Sequence, residues 1–375
     1  MRSIVLAALL TAAAATVTAA APASTDGPPY RVVTVAEDLA FPWGLAFLPG
    51  GDMLVTERPG RLRRVAADGT VAPPVSGVPD VYFRGQGGLL DVVLHPRFSE
   101  NRLVYLSYAH GDARANATRV ARARLEDGRL TGLEVIFTAE PAKATPQHYG
   151  GTLAFLDDGT LLVTTGDGFD YREQAQDRRS LLGKTVRIHD DGRIPADNPF
   201  VGAPDAHAAV WTYGHRNPQG LAVDAAAGRV YQHEHGPRGG DELNLLRPGR
   251  NYGWPLVTHG VDYSGAYVSP FTELPGLEQP LHQWTPSIAP SGLALYRGDA
   301  FPAWRGDLLL GALVNREVRR LDLEDGRIAG EQPLFSELEA RIRSVDVGPD
   351  DCLYLLTDSE QGRLLRVEPA RPGDS

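Results

Sequence analysis

The sequence holds one cysteine, Cys352, so no intramolecular disulfide can form. That residue sits in DDCLYLLTD, an apolar strand pattern that reads as a buried, inert thiol rather than a nucleophile. No later stretch is apolar over the ~20 residues that a membrane-spanning helix needs, which excludes such a span. There is no Gly-x-Ser-x-Gly elbow, no phosphate loop and no dinucleotide glycine fingerprint. Hydride chemistry with a nicotinamide is therefore unsupported. No EF-hand loop is present, and no His/Cys spacing suggests zinc. Positive charge is in deficit: 37 Lys and Arg against 47 Asp and Glu leave a formal net charge of −10. That balance argues against nucleic acid and anionic membranes as partners.

The chain opens with MRSIVLAALLTAAAATVTAAAPAS. One cation, Arg2, precedes an apolar run from Ile4 to Leu10, and the small residues Ala19 and Ala21 offer a cleavage site. Residues 1–21 read as a secretory signal peptide, so the mature protein is expected to be exported, to the periplasm where the organism has two membranes. With 375 residues, 42% of them apolar, the chain can bury a large core. Export without disulfides leaves stability to packing or bound ions.

One unit then recurs. It reads GLAFLPGGDMLVTERPGRLRRV from Gly44, LLDVVLHPRFSENRLVYLSYA from Leu89 and GTLAFLDDGTLLVTTGDG from Gly151. It returns as QGLAVDAAAGRVYQHEHG from Gln219, SGLALYRGDAFPAWRGDLLLGAL from Ser291 and RSVDVGPDDCLYLLTDS from Arg343. Each copy is an apolar run, a turn rich in Asp, Gly or Pro, and a second apolar strand. Six copies predict an all-β chain, a six-bladed β-propeller of four-stranded antiparallel blades over residues 28–370. A large β-sandwich is the alternative. Two insertions break the rhythm: a long polar one from Phe169, with a predicted short helix, and one rich in Gly, Pro and aromatics from Arg247. Long ordered insertions on a rigid scaffold are where ligand contacts concentrate.

Five local clusters can carry chemistry. His148 heads a predicted hairpin and Asp167 closes it, so a carboxylate can orient an imidazole as a general base. The alternative is a histidine satisfied by backbone groups. Arg216 and Asn217 leave one loop and suit carboxylate or carbonyl oxygens, or serve only that loop. In EHGPRGGDELN, Gly236 and Pro237 impose a turn that can aim carbonyl oxygens at one point, with Asp241 and Glu242 nearby; calcium takes such ligands. Arg341 and Arg343 alternate, so both face one side of an extended segment, awaiting an anion or lying solvated. Gln86 adds a polar side chain at a glycine-flanked blade entrance.

Taken in order, PWGLAFLPGG, GQGGLLDVVLHPRF, HYGGTLAF, GHRNPQGLA, EHGPRGGDELN, NYGWP, PSIAPSGLALY and RIRSV resemble the soluble quinoprotein glucose/sorbosone dehydrogenase family. The resemblance runs from Pro42 to Val367 and is strongest to the bacterial aldose sugar dehydrogenases. It implies pyrroloquinoline quinone (PQQ) and calcium at the mouth of a propeller channel. By position, His148 matches the catalytic base and Asp167 the carboxylate that holds it, while Gln86, Arg216, Asn217, Arg341 and Arg343 match cofactor contacts. Arg216 is also expected to stabilise charge on the quinone oxygen. Gly236 and Pro237 match backbone ligands of the cofactor calcium. His235 stands where some members have a glutamine against the quinone, and Ser287 matches a threonine contact. Glu242 and Tyr252 fall where a second, structural calcium is sometimes held. Where some members carry a lysine against the quinone, this chain has Val314, leaving Asn315 or Arg316 to fill the role, or no cation at all. The glycines after His148 are expected to let cofactor and sugar approach the backbone.

The activity so implied is oxidation of an aldose at its anomeric carbon to a lactone, with an external electron acceptor. A calcium-dependent propeller lactonase and a non-catalytic binding propeller are the rival readings.

Overall fold

The computed structural model describes residues 28–370, so the expected signal peptide lies outside the described residues. The strands Met53–Glu57, Leu161–Thr165, Leu308–Ala312 and Leu353–Thr357 are buried at every position. A strand buried on both faces needs cover on both, and neighbouring blades supply it. One apolar cluster, for example, joins Tyr105 and Val120 of one sheet to Leu161, Val163 and Val186 of the next. Cys352 is buried, as its strand pattern implies.

Six antiparallel sheets result, arranged as a six-bladed propeller. Five have four strands. The blade made of Pro42–Phe47, Met53–Glu57 and Arg61–Val65 has three. Its fourth position is reduced to isolated bridges, Leu62 with Val75 and Val65 with Val71. The ring is closed by pairing between distant segments: Tyr30–Leu39 adds to Gly362–Pro369 as the outer strand of the last blade, with Tyr30 opposite Pro369 and Leu39 opposite Gly362. The predicted helix in the insertion after Phe169 is a single 3-10 turn, Arg172–Ala175. No helix among the described residues is long and apolar enough to cross a membrane.

The first strand of each sheet packs against the first strand of the next, which sets the innermost ring. Three of these strands share the pattern Pro-x-Gly-Leu-Ala, at Pro42–Phe47, Pro218–Asp224 and Pro290–Leu295, and each carries a register break beside its glycine. A bulge there turns the strand end toward the channel mouth. Gly292 has φ +49°, and a Cβ on it would lie 2.7 Å from both Ser344 Cα and Val345 N of the adjacent blade. Gly292→Ala is therefore expected to destabilise the fold by roughly 2–3 kcal/mol. Urea denaturation checks this; an unchanged midpoint would show that the two inner strands can part without penalty.

Candidate active site

His148 stands just before the inner strand Leu153–Phe155, in the left-handed region at φ +50°. The turn is pinned from outside: the His148 N–H donates to Gln86 Oε1 at 2.8 Å. Gly166 makes the turn sterically possible, since a Cβ there would fall 2.3 Å from His148 O. Asp167 follows Leu161–Thr165 and is wholly buried. Its Oδ1 lies 2.7 Å from His148 Nδ1 and accepts the Phe169 N–H at 2.8 Å. Its Oδ2 accepts Trp254 Nε1–H at 2.7 Å, and its own N–H donates to Arg216 O. The carboxylate therefore fixes the tautomer with hydrogen on Nδ1 and leaves Nε2 as the basic nitrogen. Burial pushes the His148 imidazole below its ordinary value, and Arg216 adds to that; Asp167 opposes it. The ring is 3% exposed and meets Phe169 edge-on at 5.1 Å.

Arg216 is buried between two rings, its Cζ 5.4 Å from the Trp254 ring and 5.8 Å from that of Tyr263. Its Nη1 donates to the carbonyls of His235, at 3.1 Å, and Gly236. A cation thus already sits on the carbonyl expected to hold calcium. A carbonyl has two lone pairs, so the Gly236 oxygen can serve both. The turn suits a hard cation in another respect. A Cβ on Gly236 would fall 2.2 Å from Gly240 O and 2.4 Å from Gly239 O, so carbonyl oxygens crowd one spot.

A cavity of about 300 Å3 opens beside the His148 loop. Tyr149, Gly150, Gln86, Asn217, His235, Arg341 and Arg343 line it, joined by Trp43, Gln219, Arg58 and Asp358. Asn217 Oδ1 accepts the Gly150 N–H at 3.2 Å, and His235 Nε2 donates to Pro290 O at 2.8 Å. Arg341 pairs with Asp358 at 3.0 Å. Arg343 donates to Gln219 Oε1 at 3.1 Å and lies over the Trp43 ring; burial lowers its guanidinium to about 10. The Nε atoms of Arg343 and Arg58 are buried with no hydrogen-bond partner. Buried guanidinium nitrogens with no acceptor suit a polycarboxylate ligand.

A second cavity, about 640 Å3 and mostly apolar, adjoins it through His235, Ala289 and Val314. Gly236, Pro237, Tyr263 and Ser287 line this one. Ser287 therefore belongs to the second cavity and not to the arginine-lined one; its hydroxyl donates to Asp241 Oδ2 at 2.6 Å. Asp241 itself also accepts the N–H groups of Gly236, Ile288 and Ala289, so it braces the turn. Val314, at the position of the lysine, lines both cavities, whereas Asn315 and Arg316, weighed as its substitutes, are exposed and line neither. Of the glycines after His148, Gly150 lines the first cavity, but a Cβ on Gly151 would meet Leu90 Cδ1 at 2.5 Å. Blade packing, not a ligand, demands the second glycine.

Glu242 and Tyr252 meet through an intermediate pair. Glu242 lies opposite Glu234, whose Oε1 is 2.8 Å from His215 Nδ1, and the His215 ring stacks on Tyr252 at 4.8 Å. Burial and the nearby Glu234 charge push the Glu242 carboxyl upward. The neighbouring Asn244 Oδ1 is buried without a partner. Glu234 is itself engaged, its Oε1 by His215 and its Oε2 by the Arg216 N–H, so Glu242 and the orphan amide oxygen are the oxygen donors that a hard cation could use here. The Tyr252 hydroxyl is engaged elsewhere, donating to Leu245 O and accepting from the Arg247 N–H.

Sequence reasoning did not single out Trp254, Arg58, Asp358, Phe169 or Tyr263. Trp254 lay within the quoted NYGWP landmark, but nothing local tells an indole N–H that its acceptor is a carboxylate 87 positions away.

Comparison with known proteins gives the family. The family model described as Glucose / Sorbosone dehydrogenase matches residues 39–366. An aldose sugar dehydrogenase of Escherichia coli is 42% identical over 93% of this chain and 94% of its own. A crystal structure of a glucose dehydrogenase superposes with a TM-score of 0.88 at 47% identity, covering 90% of this chain and 99% of that one. The PQQ-bound form of an aldose sugar dehydrogenase from Streptomyces coelicolor does so with a TM-score of 0.74 at 32% identity, covering 91% and 100%. The chain belongs to the glucose/sorbosone dehydrogenase family.

Proposed function

We propose that this protein is an exported, PQQ-dependent aldose sugar dehydrogenase that oxidises the anomeric carbon of a sugar to a lactone and passes the electrons to an external acceptor. The observation that carries the reading is the arrangement of a neutral, carboxylate-held imidazole beside a cavity lined by guanidinium groups. A tricarboxylate cofactor calls for such a cavity; a lactonase or other hydrolase has no use for it. The PQQ-bound structure of the Streptomyces coelicolor relative supports the choice of cofactor.

His148 Nε2 takes the proton of the anomeric hydroxyl, and Asp167 stabilises the imidazolium that results. Bound PQQ supplies the electrophilic quinone that receives the anomeric hydrogen with its two electrons. Arg343, Arg341 and Asn217 would hold its carboxylates, with Gln86 and His235 on the same cavity wall. Calcium on the Gly236 and Pro237 carbonyls would act as a Lewis acid toward a quinone oxygen, with Arg216 adding positive charge. A second cation between Glu242 and the Tyr252 segment would offset the crowding of Glu242 and Glu234.

Three outcomes follow. Apo-protein given PQQ, calcium and an aldose is expected to reduce a dye acceptor, and His148→Ala to abolish turnover while leaving folding and PQQ binding intact. No dye reduction across an aldose panel, or unchanged activity in the variant, ends this reading. The depressed His148 value sets the pH profile. The imidazole is neutral at and above its usual value near 6.5 and becomes protonated, hence inactive as a base, only below it. kcat/KM should be flat toward neutrality and fall on the acid side with an apparent pKa under 6.5; a limb above 7 contradicts the assignment. Finally, bound calcium should stabilise by about 2.7 kcal/mol at a free concentration a hundred times Kd. Chelation should lower Tm in the wild type, and Glu242→Gln should remove most of that drop.

A further inference from the structure

Arg58 follows the strand Met53–Glu57 and lines the same cavity as Arg341 and Arg343. Both ends of its backbone are held: its N–H donates to Phe41 O and its carbonyl accepts the Leu89 N–H. The guanidinium lies 5.8 Å from the Phe41 ring centroid and 5.5 Å from that of Phe83. Its Nη2 donates to the carbonyls of Gly85 and, at 3.2 Å, Gly87, which flank Gln86. Among the described residues no carboxylate forms an ion pair with it, and its Nε is buried without a partner. The one acid lining the cavity, Asp358, is bonded to Arg341. Three guanidiniums therefore face one carboxylate, an excess of positive charge that suits a bound anion.

We propose that Arg58 is the third guanidinium of the anion site, contributing to the hold on a carboxylate of the cofactor and supplying the cation that Val314 cannot. This inference rests on the reading given under Proposed function. Burial lowers the Arg58 and Arg343 values, the Arg58 and Arg341 charges lower Arg343 further, and Asp358 opposes the shift in both. The aromatic sandwich keeps the Arg58 guanidinium in place.

The test is equilibrium binding to apo-protein, read by quenching of tryptophan fluorescence, since Trp43 lines the cavity. Two probes are used: PQQ, and benzene-1,3,5-tricarboxylate, which carries three carboxylates and no quinone. Arg58→Gln is expected to weaken both by about 10- to 100-fold, the loss of one charge-assisted contact. Arg58→Lys should recover part of it. Val314→Lys in the Arg58→Gln background should also recover part, because position 314 lines the same cavity. A role confined to bracing the Gly85–Gly87 loop would instead lower Tm in Arg58→Gln and gain nothing from the lysine at 314. Affinity within twofold of wild type in Arg58→Gln, or no recovery in the double variant, overturns the proposal. Wild type that binds the benzene tricarboxylate but not PQQ keeps the anion site and sinks the cofactor reading. Wild type that binds neither sinks both.

Discussion

Asp167 has no exposed surface, and four residues bond to it: His148, its near neighbour Phe169, Trp254 and, through the backbone, Arg216. A buried carboxylate is stable only when its lone pairs are filled, and here each acceptor oxygen is taken by a group the site needs. One bond sets the imidazole tautomer. Another fixes the indole against which the Arg216 guanidinium lies. Moving this one carboxylate would misplace the base, the aromatic wall and the cation together.

Around that anchor the chain distributes its cations unevenly. The protein is acidic as a whole, yet one cavity collects three arginines against a single acid. Arginine suits the purpose because its planar fork matches carboxylates and its charge survives burial. The sequence holds only two lysines, and both are buried. Lys184 Nζ donates to the carbonyls of Gln174, Ala175 and Leu182, tying down the insertion after Phe169. Lys143 Nζ donates to Asn116 Oδ1 and Thr145 O and lies 3.5 Å from the Tyr149 ring centroid, beneath the loop that carries His148. Each ammonium organises a loop that borders the active site.

The two adjoining cavities divide the work. The smaller is polar and walled by inner-strand ends and the Arg58, Gln86 and Arg341 loops; the larger is apolar and walled by the turn at Gly236 and by Tyr263. His235 faces both, and its charge is suppressed by burial, so it presents a neutral ring at the boundary. The rigid inner ring, with its glycines at the inter-blade contacts, holds these walls while the insertions supply the variable side chains.

The blades were legible in the sequence because each is a local event: an apolar run, a turn and a second apolar run write their periodicity into consecutive residues. Closure by Tyr30–Leu39 and the reduced fourth strand of one blade were not, since pairing across the whole chain leaves no local mark. His148 and Asp167 could be joined on paper because a hairpin returns one to the other within 19 positions. Gln86, Asn217, Arg341 and Arg343 stood out locally and were assigned to one site by motif order, and the fold brings all four to one cavity. Ser287 was drawn to the same site by order alone, but its hydroxyl is taken by Asp241 in the adjoining cavity. The chain by itself thus determined which strands form and that His148 can meet Asp167, because short-range connectivity decides both. Only the closed ring decided that Arg58 and Asp358 meet in the cavity beside the His148 loop and that Trp254 reaches Asp167, since blades distant in sequence become neighbours only when the sheets meet around the axis.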